Sequence, residues 1–144
     1  MNIETICQLL LATILGAIIG GEREMKKREA GLQTYSLVAL GSSLITVIAL
    51  FLDKEGIISD PSPIFLAIAL GMGFIGAGTI FRREGKVEGL TTAAGLWVTA
   101  AIGLAVGVKL YILAGLTTFL ALLIFLGFGF LENKLFKKGS QETP

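Results

Sequence analysis

Histidine is absent from this 144-residue chain, and cysteine occurs once, at Cys7. Without imidazole the commonest general base and the commonest zinc ligand are both missing, and a lone cysteine makes no internal disulfide. Charge is scarce as well. Only 16% of residues are Asp, Glu, Lys or Arg, and the net charge of +1 gives no reason to propose a nucleic-acid partner. What is abundant is apolar side chain, at 53%, together with 19 glycines and a mean hydropathy of +0.80. These values lie above the apolar and below the charged averages of soluble domains, so the chain reads as a membrane protein with room for one domain.

Apolar runs fall at about Ile3–Gly20, Leu32–Leu52, Ile64–Phe81, Leu90–Val108 and Leu110–Leu131. Each is near the roughly 20 residues that a helix needs to cross a hydrocarbon core of about 30 Å. The fold expected is all-α: a polytopic bundle of about five transmembrane helices over residues 1–134, then a short cytoplasmic tail over 135–144. The first run carries Glu4 where a signal peptide has a basic region and leads into Gly20-Gly21-Glu22 without an A-x-A site, so it is read as a retained helix. Lys109 alone separates the last two runs, and Gly107 is a candidate for a tight hairpin there. Lys and Arg sort by side: Arg23, Lys26, Lys27, Arg28, Arg82, Arg83, Lys86, Lys134, Lys137 and Lys138 on one, Lys54 and Lys109 on the other. Positive-inside bias then places the N-terminus outside and the C-terminus in the cytoplasm.

The stretch Gly71-Met72-Gly73-Phe74-Ile75-Gly76 fits the glycine pattern of dinucleotide-binding loops. That meaning requires a preceding strand and an acidic residue about 20 positions on. Here a membrane span precedes it, and Thr91 to Leu96 contain no acid. The glycines are instead assigned to helix packing. Ala67, Gly71 and Gly78 share one side of the third span, with Ala69, Gly73, Gly76 and Ala77 on the other, which predicts a central helix with neighbours on both sides. Leucine at Gly73 or Gly76 is accordingly expected to destabilise the bundle or its dimer. Small residues recur at every fourth position in the fourth span (Thr91, Gly95, Thr99, Gly103, Gly107) and in the first (Ala12, Gly16, Gly20). In the second span Tyr35, Ser42 and Thr46 line up as a polar stripe, facing protein or a narrow wet cavity, or bonding back to their own helix. The fifth span, with Phe119, Phe125, Phe128 and Phe130, looks lipid-facing.

No charged residue falls in the middle of a span, which gives ion-coupled transport little support. Glu4, Asp53, Glu55 and Asp60 on the outer side are enough for a loose oxygen-ligand Mg²⁺ site, but no ligand spacing is specified and they read as solvated acids. On the cytoplasmic edge Glu22 pairs with Lys26 and Glu24 with Arg28 at i,i+4, predicting a charged extension of the first helix. It is either a solvated face near lipid phosphates or, joined by the second inner loop Phe81–Gly89, a docking surface for a partner. With no nucleophile–base pair and no cofactor motif in context, neither enzymatic activity nor a cofactor is expected.

"GGERE", "AGLQTYSLVALGSS", "DPSP…GMGFIGAGTIFRR" and "VEGLTTAAGLWVTAAIGLAVG", in this order and spacing, resemble the MgtC/SapB family of bacterial inner-membrane proteins over about residues 5 to 125. The matching positions are Glu22, Arg23, Glu24, Gly31, Leu32, Thr34, Asp60, Pro61, Gly71, Gly73, Gly76, Gly78, Arg82, Gly89, Thr91, Thr92, Trp97 and Gly103. Gln33, Pro63 and Ala67 stand where the family pattern has Arg, Arg and Gln. The likeness is to a short form without the soluble C-terminal domain. It implies about five helices, a part in survival at low magnesium, and action on partners, notably restraint of the F-type ATP synthase, although the family is often labelled magnesium transport.

The reading that results is a membrane protein acting by protein–protein interaction in magnesium-limitation or acid-stress physiology, with a homodimer implied by its small-residue faces. The alternative is a magnesium channel or transporter. The charge asymmetry makes a direct prediction about topology. A reporter fused after Pro144 should be cytoplasmic, and a cysteine placed at Gly56 should react with an impermeant reagent from outside. A C-terminus found outside would reverse the assignment.

Overall fold

The computed structural model describes residues 3–83 and 85–128, with Phe128 described by its backbone alone. Phe130, Lys134, Lys137, Lys138 and the tail at 135–144, on which expectations were placed above, lie outside the described residues. Five helices follow the five apolar runs: α1 (Ile3–Met25), α2 (Leu32–Lys54), α3 (Ser62–Ala77), α4 (Leu90–Gly107) and α5 (Tyr111–Leu123), the last continuing as a π-helical turn at Ile124–Phe128. Between α3 and α4 stands an antiparallel hairpin, β1 (Phe81–Arg83) and β2 (Lys86–Glu88), with Arg82 opposite Val87.

The helix at the centre is α4, not α3. It packs on α1, α2, α3 and α5, whereas α3 leans on α4 and barely meets α2. The reason lies in where small residues meet backbone. A side chain added at Gly103 would collide with the Ala39 carbonyl and lie 3.0 Å from the Ser42 Cβ; at Gly107 it would lie 2.6 Å from the Thr46 Cβ. On α1, Gly16 and Gly20 do the same against α2, at 2.5 Å from the Tyr35 carbonyl and 2.8 Å from the Leu32 Cα. In α3 only Gly76 has such a neighbour, Ala93 of α4 at an ordinary 3.5 Å, while Gly71 and Gly73 face open space in the single chain. The two small faces of α3 therefore do not both find helices. One does, through Met72 and Gly76.

The polar stripe of α2 is buried against protein. The Ser42 hydroxyl donates across to the Ala100 carbonyl of α4 at 2.6 Å, and the Thr46 hydroxyl donates back to Ser42 of its own helix at 2.8 Å, so both routes proposed for such hydroxyls are used. At the far end of α4 the buried Gln8 amide donates to the carbonyls of Val106 and Gly107 at 3.1 and 3.0 Å; the first also accepts from the Lys109 amide, and the second is an orphan acceptor at the end of that helix. Lys109, at φ 66, makes the left-handed turn into α5, and its ammonium pairs with Glu4 at 2.8 Å. Gly107 is thus a packing residue and not the hairpin residue expected.

Two other expectations are corrected. The third span ends at Ala77, four residues early, because Phe81 is taken into the hairpin. Gly89 holds φ 86 where the hairpin turns into α4, and any side chain there would meet the Thr79 carbonyl. In the fifth span, Phe119 of α5 faces outward, but Phe125 in the π-helical turn is buried.

Leucine at Gly103 should cost roughly 1–3 kcal/mol or more, the range for overpacking a filled core, whereas leucine at Gly73 should leave the unfolding temperature in detergent unchanged. Equal losses in the two variants would contradict the central place given to α4.

Candidate functional site

Ionised side chains in apolar surroundings need partners, and the end of the bundle that carries the hairpin shows how they are found. The last turns of α1 deliver Glu22 and Arg23 inward, with side chains only 8% and 4% exposed. Arg23 reaches Glu22 through Nη1 at 3.5 Å, and its guanidinium lies 4.4 Å from the centroid of the Phe125 ring, a cation–π geometry. Lys26 closes the other side of Glu22 at 2.7 Å and also donates to the Phe125 carbonyl at 2.8 Å. That carbonyl belongs to the π-helical turn, where the regular helical hydrogen-bond ladder is disturbed.

α2 and α4 complete the floor. Tyr35, fully buried, donates from its hydroxyl to the Thr92 carbonyl over a long 3.4 Å. Gly95 makes room for it: an added side chain would lie 2.6 Å from the Tyr35 hydroxyl and 2.7 Å from the Phe125 ring. In the loop between α1 and α2, the Glu29 carboxylate accepts from the Thr92 hydroxyl at 3.0 Å. Its pKa is lowered, chiefly by a backbone hydrogen bond; desolvation, the next largest effect, opposes this, and the Thr92 hydroxyl and the charges of Arg28 and Arg23 add to the lowering.

The pairs expected along the end of α1 divide. Glu22–Lys26 forms. Glu24–Arg28 does not, because the chain leaves the helix at Lys27, φ 52, and carries Arg28 away. Glu24 instead accepts from the Leu32 amide at 3.2 Å, capping α2, against a Gly31 that leaves no room for a side chain. Glu22 and Arg23 are therefore a buried latch and not a solvated docking face.

The other sequence-derived residues are spread out. Thr34 is exposed in the first turn of α2, Arg82 is exposed on β1, and Thr91 is exposed beside the buried Thr92. Trp97 is half exposed on the α3 flank of α4, near Phe65 and Met72. Asp60 sits at the opposite end, where its carboxylate accepts from the Ser62 amide at 2.8 Å, and its pKa is lowered first by the Ser62 side chain and then by that amide. Among the described residues, no three His, Cys, Asp or Glu side chains gather as a metal-binding group.

Sequence reasoning missed Glu29 and Phe125 as members of this cluster. Glu29 looked like one charge in a solvated run, and nothing in the sequence shows an arginine beneath a phenylalanine a hundred positions away. The arrangement is suited to joining elements, since it ties α1 to α5 through ions, the α1–α2 loop to α4 through Glu29, and α2 to α4 through Tyr35.

An all-helical bundle in which α1, α2 and α4 are each long and apolar enough to cross a bilayer, with its charges sorted to the helix ends, defines an α-helical membrane protein. The chain belongs to the MgtC family, whose sequence model matches residues 9–134. It is 41% identical, over 96% of its length and 66% of the relative's, to YhiD of Escherichia coli (strain K12), whose name proposes it as a magnesium transporter. It is 38% identical to protein SrpB of Synechococcus elongatus, over 94% of this chain and 80% of that one. With protein MgtC of Salmonella typhimurium (strain 14028s) it shares 42% identity over 71% of its own length and 42% of the relative's. The chain thus spans just under two thirds of YhiD and less than half of that MgtC protein. No solved structure matches it.

Two outcomes are expected from the cluster. Glu22→Gln leaves Arg23 buried without its counter-ion and should lower stability by about 3 kcal/mol, the lower end for breaking a buried pair, read as a fall in unfolding temperature. For Glu29, whose folded pKa is depressed, the stabilisation is present above the ordinary glutamate value of about 4.3 and fades as the pH falls through the lower folded value. The difference in unfolding temperature between the wild type and Glu29→Gln should therefore be constant at neutral pH and close only below about pH 4. A difference that closes near pH 6 would refute the assignment.

Proposed function

We propose that this chain is a multi-pass inner-membrane protein that acts by protein–protein contact in magnesium-limitation or acid-stress physiology, with no catalytic activity of its own. The observation that supports this reading best is the closed centre of the bundle. Where α1, α2 and α4 cross, at Gly16, Gly20, Gly103 and Gly107, backbone meets backbone and no added side chain fits, which leaves little room there for a hydrated ion. The surface offered to a partner is the hairpin with Arg82 and Arg83, both exposed. Family likeness nominates a membrane complex such as the F-type ATP synthase as that partner. A homodimer, with the N-terminus outside and the C-terminus in the cytoplasm, belongs to the same proposal.

The second reading, magnesium transport, is favoured by the name given to YhiD. One pair of assays separates the two. In inverted membrane vesicles, expression of the chain should reduce ATP-driven proton pumping, and Arg82→Gln with Arg83→Gln should restore it without changing the amount of protein inserted. In liposomes, the purified chain should give no Mg²⁺ uptake above empty vesicles. Unchanged pumping together with saturable uptake would make transport the better account.

A further inference from the structure

Between α2 and α3 an open cavity of about 700 Å³ faces outward from the bundle, within the size range of ligand sites. Its walls are Leu37, Val38 and Ile45 from α2 and Ile64, Ile68 and Ile75 from α3. Gly41 and Gly71 also line it, and for both an added side chain would meet nothing within 4 Å. These two glycines contribute nothing to packing within the chain, unlike those of α1 and α4. The polar side chains of the lining are Ser42, whose hydroxyl is already spent on Ala100, and Thr34 at the end nearest the hairpin.

The length of the groove says what fits. From Thr34 to Ile45 along α2, and from Pro63 to Ile75 along α3, the walls run about 16 and 18 Å at a rise of about 1.5 Å per residue. One leaflet of the hydrocarbon core is about 15 Å thick, whereas a spanning helix needs a seat of about 30 Å. The charge at the open end fits as well. Lys27, Arg28, Arg82, Arg83 and Lys86 are all exposed at that end of the bundle. Three of the acids near them are engaged elsewhere: Glu22 with Arg23 and Lys26, Glu24 at the start of α2, Glu29 on Thr92.

We infer that the α2–α3 groove seats an acyl chain of an anionic phospholipid from the leaflet on the hairpin side, with the headgroup phosphate held by the basic residues at the groove's mouth. The apolar walls hold the tail through dispersion contacts along the groove, without regard to headgroup, and the cations supply the preference for negative charge.

The test uses the full chain, purified in detergent and equilibrated with a mixture of phosphatidylglycerol and phosphatidylcholine, with retained lipid read by native mass spectrometry. One phosphatidylglycerol per chain should be retained in preference to phosphatidylcholine. Arg82→Gln with Arg83→Gln should cut that preference by about fivefold for each charge removed, without reducing retention of the neutral lipid. Gly41→Leu with Gly71→Leu, which fills the groove without touching the bundle, should abolish retention of both lipids at an unchanged unfolding temperature. Phosphatidylglycerol carrying a photoreactive acyl chain should label wild-type protein within Leu37–Ile45 and Ile64–Ile75, so the inference stays testable if the leucine variant does not fold. Equal retention of the two lipids by wild type, or labelling confined to α5, would overturn it. So would a leucine variant that keeps its lipid but changes from dimer to monomer, which would give the groove to a second copy of the chain.

Discussion

The contact on which the rest of the structure depends is the approach of α4 to α2 at backbone distance. In a bilayer, lipid tails solvate apolar side chains as well as leucine does, so helices associate through close dispersion contacts and interhelical hydrogen bonds. Gly103 against the Ala39 carbonyl and Gly107 against Thr46 provide the first, and the Ser42 hydroxyl on Ala100 provides the second. Once two helices sit this close, large side chains have to leave the seam. Trp97 of α4 accordingly points outward, and the buried positions are mostly Ala, Gly, Ser and Thr with a few branched residues, Tyr35, Met72 and Phe125 being the larger apolar side chains among them.

The same contact shapes the charged end. Gly95 belongs to the small-residue series of α4, and the volume that it leaves empty is where the Tyr35 hydroxyl and the Phe125 ring meet. Arg23 rests on that ring and pairs with Glu22, which pairs in turn with Lys26. Packing and electrostatics are therefore one construction. A side chain at position 95 would displace the aromatic floor and leave a buried guanidinium without its platform, while loss of the floor would remove the reason for a glycine there. The hairpin follows from the same geometry, since Gly89 is in the left-handed conformation where the chain turns into α4 close to the Thr79 carbonyl.

Helix number and approximate position were legible because each span is a long apolar run, and the every-fourth-residue pattern of α1 and α4 was legible because it repeats within one helix. Which helix stands at the centre was not. Gly71, Gly73 and Gly76 look alike in sequence, but only Gly76 meets another helix, and that depends on how α3 lies against α4. At the charged end, Glu22–Lys26 was legible as an i,i+4 pair, whereas Glu24 escaped because the helix stops before Arg28. Phe125 misled for a related reason. Apolar residues belong equally to lipid and to protein, and only the arginine beneath it decides the matter.

The close approach of α4 to α2 can be measured without altering a residue. Solid-state NMR of uniformly ¹³C-labelled protein in lipid bilayers should show through-space carbon–carbon contacts from Gly103 to Ala39 and Ser42, and from Gly16 to Tyr35 and Ala39, all pairs in near-contact in the structure. Spectra that resolve the sequential and intrahelical contacts of these residues but lack the interhelical ones would contradict the account, because α4 would then not be the helix on which the bundle is built.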